Sequence, residues 1–145
     1  MYSKSAAFVC AIFLACLAVA ANPEVKIDDA QAALERLVLR TNPDAFLIIS
    51  ETTTGKFVQF SHHPEHGIGF DLPVDSLSEE EQRRASRLLI AQGAELLSWQ
   101  AGGSTMQAYS QRLRTDTLAA FRLAESVMHD VYGFGMDARY SLVEN

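Results

Sequence analysis

The chain has 145 residues, with 12 lysines and arginines against 18 aspartates and glutamates and a formal net charge of −6. That length is one domain's worth of sequence. The acidic balance, with no cluster of lysine or arginine, argues against nucleic acid as a partner, because phosphate binding needs concentrated positive charge. Proteins or small ligands are the expected partners.

The opening segment, MYSKSAAFVCAIFLACLAVAA, places Lys4 before an apolar stretch and small residues at Ala18 and Ala20. This is the form of a secretory signal peptide, cleaved after Ala20. The apolar run is short for a membrane span, which needs about 20 residues. An uncleaved anchor is one rival reading. A lipoprotein is another, since Phe13-Leu14-Ala15 precedes Cys16. Phe13 stands where such a box usually has leucine, and the residues after Cys16 stay apolar where a lipoprotein turns polar. The expectation is an exported protein, periplasmic or secreted, with no stable membrane insertion after cleavage. Cys10 and Cys16 both lie in this segment. The mature chain then has no disulfide, no thiol chemistry and no cysteine-ligated zinc. The expected division is residues 1–20 as signal peptide, 21–28 as a short tail, and 29–145 as a single domain.

Asp28 is placed to cap a first helix over 29–41, where Ala30, Ala33, Leu34, Leu37 and Val38 recur at helical spacing. Asn42-Pro43 stops it. Three strands follow: 45–51 (AFLIISE), 56–61 (KFVQFS) and 67–72 (GIGFDL), the last alternating Ile68, Phe70 and Leu72 with Gly67, Gly69 and Asp71. Ser78 and Glu81 form a capping box for a helix running to Gln92, with Gly93 as its stop and Ala85, Leu88 and Leu89 facing inward. Glu79 with Arg83 and Glu80 with Arg84 are its expected ion pairs. ELLSWQ (95–100) and TMQAYSQRL (105–113) read as a hairpin turned by Ala101-Gly102-Gly103-Ser104. A last helix starts at Thr115 or Asp116, buries Ala120, Phe121, Ala124, Val127, Met128 and Val131, and ends at Gly133 and Gly135. An optional strand, 138–143 (ARYSLV), closes the chain. The order α-β-β-β-α-β-β-α(-β), with strands in hairpins, gives an α+β class and a mainly antiparallel sheet.

His62, His63, Pro64, Glu65 and His66 match H-x-x-E-H as text. That metalloprotease chemistry needs both histidines on one helix face, whereas Pro64 and the flanking strands make a turn. Two readings stay open: a solvated turn with histidines at its surface, or a metal loop using the three histidines, with Glu65 as a fourth ligand. Gly67 is expected to let the turn move. Ser98, Ser104 and Ser110 lack a nucleophile-elbow context. His129 reads as a helix-terminal histidine. No second acid is fixed near Asp71 by spacing. Gly67-Ile68-Gly69 is too short for a dinucleotide loop. Trp99, Tyr109, Phe57, Phe60 and Phe70 read as core, unless one sheet face carries no helix.

The segment Phe57-Val58-Gln59-Phe60, the strand GIGFDLP, the capped helix after it and the ending at Val131-Tyr132-Gly133 resemble the type III secretion chaperone-like fold, in particular the YbjN-like and TY-Chap-like domains. The resemblance covers about residues 29–143. It implies a compact α+β domain, often dimeric, that binds other proteins and has no catalytic residues. Secretion chaperones are cytoplasmic, so the expected signal peptide departs from that pattern. No catalytic, cofactor-binding or metal-ligating residue is assigned, and no cofactor is expected. The leading expectation is an exported, non-enzymatic domain that binds a protein partner or itself. It requires an exposed apolar sheet face. A metal or small-ligand binder, the alternative, requires His62, His63 and His66 to converge. An enzyme with a scattered site requires a deep pocket with perturbed acids.

Overall fold

The computed structural model describes residues 23–145, so the expected signal peptide with Cys10 and Cys16 lies outside the described residues. The elements are α1 (Asp29–Leu37), β1 (Ala45–Glu51), β2 (Phe57–His63), β3 (Gly67–Pro73), a 3-10 turn (Val74–Ser76), α2 (Glu79–Ala91), β4 (Glu95–Ala101), β5 (Ser104–Arg114), α3 (Thr117–Ser126), a π-helical turn (Val127–Val131) and β6 (Tyr140–Glu144). The class is α+β and the element order is the expected one, closing strand included. No helix among the described residues is long and apolar enough to cross a membrane.

Two local expectations fail at α1. The helix stops at Leu37 and not at residue 41, because Leu39 and Arg40 bond back only three residues, to Arg36 and Leu37, and the chain unwinds ahead of Pro43. Asp28 has helical torsions and makes no side-chain cap. The Asp29 carboxylate instead turns back to accept from the Lys26 amide at 3.0 Å, tying down the chain ahead of the helix. At α2 the capping box forms as expected: Ser78 Oγ accepts from the Glu81 amide at 3.2 Å, and Glu81 Oε2 from the Ser78 amide at 2.7 Å. Within this helix Glu80 pairs with Arg83 at 2.5 Å, one turn apart at i,i+3, where i,i+4 pairs were expected.

All six strands join one antiparallel sheet in the order β4-β5-β3-β2-β1-β6. Side chains alternate between its faces. Ala45, Leu47 and Ile49 pair with His62, Phe60 and Val58 across β1 and β2, and Phe60 and His62 pair with Phe70 and Ile68. This face, with Leu72 and Tyr109, meets the apolar stripes of all three helices in a single core. Ile48 and Ala108 are also buried but stand outside that core, on the opposite face. Among the described residues, no helix packs there.

Candidate functional site

β4 is bonded to β5 alone. The other edge strand, β6, is flanked by Val25, which exchanges backbone hydrogen bonds with Tyr140 at 2.8 and 2.9 Å. β4 is therefore the uncovered edge among the described residues. Its geometry follows from the turn. Gly102 and Gly103 both have positive φ, 57° and 81°, as a two-residue type I′ hairpin requires. Such a turn makes its flanking residues, Ala101 and Ser104, a hydrogen-bonded pair. By alternation Trp99 with Met106, Leu97 with Ala108 and Glu95 with Ser110 are hydrogen-bonded too. The backbone groups of Leu96, Ser98 and Gln100 then point outward.

Nothing in β4 blunts that edge. Natural edge strands carry lysine, proline, a bulge or inward-pointing charge. β4 reads ELLSWQA, and its one charge, Glu95, is at its end. Leu96 and Leu97 point to opposite faces, yet are 47% and 45% exposed. Trp99 lies on the helix-free face beside Met106, and its indole Nε1 has no hydrogen-bond partner.

The helix-free face is not apolar throughout. Its central row runs Val143, Ile48, Gln59, Asp71, Ser110, Glu95 across the six strands. Ile48 is buried, and so is Gln59. Burial pushes the Asp71 carboxyl above its ordinary range, against a hydrogen bond with Ser110 that lowers it. Glu95, two strands away at about 10 Å, is too distant to share a proton with it. The apolar side chains left partly exposed on this face lie on either side of the polar part of that row: Leu97, Trp99 and Met106 toward β4, and Phe46, Phe57 and Val143 toward β1, β2 and β6. Of the five strand aromatics singled out in the sequence, Phe60, Phe70 and Tyr109 belong to the core, with Phe60 and Phe70 rings 5.6 Å apart. Phe57 and Trp99 lie on the helix-free face.

The histidines divide. β2 continues through His63, so His62 and His63 point to opposite faces. His62 is only 5% exposed, opposite Ala45 and Ile68. Burial holds its imidazole below the ordinary range, partly offset by a hydrogen bond with the Arg40 backbone. The convergence of His62, His63 and His66 that the alternative reading requires does not occur, and His62 does not have the surface position that the solvated-turn reading gave it. The groups that do converge are His63, Glu65 and His66, whose ligand atoms lie within 4.8 Å of one another.

On the helix side, an open groove of about 510 Å³ is lined by Gln92, Arg122, Glu125, Ser126, His129 and Asp130 among others. His129 Nδ1 sits 2.7 Å from the Phe134 carbonyl. The carbonyl can only accept, so Nδ1 carries the proton and His129 pins the π-turn. Asp71, the carboxyl that burial raises, lies on the other side of the sheet. Acid and groove do not meet. The chain matches no family model, no curated protein and no solved structure.

Proposed function

We propose that the protein is an exported, non-enzymatic binding domain that engages another polypeptide by strand addition at β4. The observation that carries this reading is the unguarded edge, flanked on both faces by half-exposed leucines. Strand addition draws affinity from main-chain hydrogen bonds and specificity from alternating side chains. The outward groups of Leu96, Ser98 and Gln100 supply the first, and Leu97 and Trp99 the second.

A second copy of the chain is the simplest partner. Two β4 strands paired antiparallel about a two-fold axis at Ser98 set Leu96 opposite Gln100, and Leu97 opposite Trp99 in a close, non-hydrogen-bonded pair. Glu95 then meets Ala101, so no like charges face each other. Light scattering on the purified protein and on Ser98→Pro tests this. Proline removes one outward amide and is tolerated on an edge strand. A dimer that becomes a monomer in the variant is the expected result. A wild-type monomer rejects self-pairing. A photo-crosslinker at position 98 in cells then tests for a foreign strand, and the absence of any adduct rejects the reading as a whole. N-terminal sequencing of the exported protein tests cleavage, with Ala21 or Asn22 expected first.

A further inference from the structure

We propose that the turn joining β2 to β3 binds a divalent transition-metal ion of the zinc or copper class through His63, Glu65 and His66. This is independent of strand docking at β4. Two imidazoles and one carboxylate suit zinc, copper or nickel, whereas calcium and magnesium take oxygen donors. Two histidines and a glutamate are also a known ligand set for zinc with a coordination position left open. The three donors here already lie within 4.8 Å of one another.

The turn is built to hold them together. The His66 amide donates to the His63 carbonyl at 3.0 Å, closing the loop. The His63 and His66 rings stack with centroids 4.7 Å apart and planes 22° from parallel. Gly67 does not loosen the turn. Its φ is +77°, and a Cβ there would sit 2.3 Å from the Arg114 carbonyl oxygen, so the base of the turn is pressed against β5. The Glu65 amide donates to His63 Nδ1 at 3.2 Å, which keeps a lone pair on that nitrogen. A metal ion bound at Nδ1 takes over this lone pair.

The test is calorimetric titration of zinc chloride at neutral pH into the full chain carrying Cys10→Ser and Cys16→Ser, so that thiols contribute nothing. One zinc per chain is expected. His66→Ala changes an exposed turn residue and should weaken binding at least about tenfold. Glu65→Gln should weaken it less, with circular dichroism unchanged in both. In NMR spectra the His63 and His66 ring resonances should shift on zinc addition, while those of buried His62 stay. No measurable binding, or unchanged affinity in a His63→Ala/His66→Ala double variant, overturns the site. So does a zinc response centred on His62 or His129.

Discussion

The Tyr132 hydroxyl donates to the Phe57 carbonyl at 2.7 Å across 75 residues of sequence, tying the π-turn after α3 to the first residue of β2. Lys56, the preceding residue, places Nζ 5.6 Å from the Tyr132 ring centroid. The same ammonium donates to Glu81 Oε2 at 2.7 Å and to the Ser76 carbonyl at 2.9 Å. One corner thus binds together β2, the 3-10 turn, the α2 capping box and the π-turn. Burial and the nearby Glu81 charge push the Tyr132 phenol far above its usual range, so it remains a donor. Tyr132→Phe keeps the ring and deletes the donor. Net loss of one such bond costs about 1 kcal/mol. The urea midpoint should fall with unchanged slope. An unchanged midpoint would show that water replaces the hydroxyl.

Ser78→Ala removes the α2 cap and should destabilise the fold by about 1 kcal/mol. Glu81 serves the cap and Lys56 together, so the two sites are coupled. In a double-mutant cycle with Lys56→Met, the combined loss should depart from the sum of the single losses. Denaturant midpoints of the four proteins measure it. Strict additivity would mean that Glu81 holds its place without Lys56.

Local signals in the sequence were reliable where the physics is local. The capping box, the Gly102-Gly103 turn and the alternation in GIGFDL each fix structure within a few residues, and each is present. The π-turn was not legible: the bond from Tyr132 that ties it to Phe57 spans 75 residues of sequence. The status of β4 was not legible either. Leu96 and Leu97 in succession read equally well as a central strand, and only the non-local strand order puts them at an edge. At the histidines, Pro64 drew the turn too early. The strand persists through His63 because the turn closes between His63 and His66, and that one residue sends His62 into the core.

The acid response should have two opposing parts. For Glu51, burial raises the carboxyl, but hydrogen bonds from Thr54 and Thr53 outweigh it and hold it below the ordinary range. Glu81 is likewise held low, burial being outweighed by Lys56 and Ser78. Their contribution is present above the unfolded carboxylate value, about 4.3, and is lost as pH falls through their lower folded values. His62, buried neutral, adds a loss that begins as pH falls through about 6.5, where the unfolded chain starts to take up the proton. Asp71 runs the other way. Its folded value is raised, so its contribution is full below about 3.9 and is lost as pH rises. Asp71→Asn should therefore raise the urea midpoint at neutral pH, and the gain should shrink as pH falls through the raised folded value and be gone below about 3.9. A gain independent of pH would show that packing, not ionisation, is responsible.

Two glycines separate backbone strain from collision. Gly103 has φ +81° and nothing within 4 Å of its missing Cβ. Alanine there suffers only the left-handed conformation, about 1–2 kcal/mol. Gly67 has nearly the same φ, +77°, but its Cβ would lie 2.3 Å from Arg114 O and 2.5 Å from Arg114 C. Those are backbone atoms at the end of the β3–β5 ladder, not the tip of a flexible side chain, and they cannot swing aside. Relief needs β3 to move off β5, at the bulge where Ile68 pairs with Arg114 and Gly69 with Arg112. Gly67→Ala should therefore cost clearly more than Gly103→Ala, and thermal midpoints of the two variants measure the difference. Amide exchange locates it: Gly67→Ala should speed exchange along β3 and β5, whereas Gly103→Ala should speed it only at the tip of the β4–β5 hairpin. Equal losses in the two variants would mean that the β3–β5 contact yields freely and that the turn carrying His63 and His66 is not pinned.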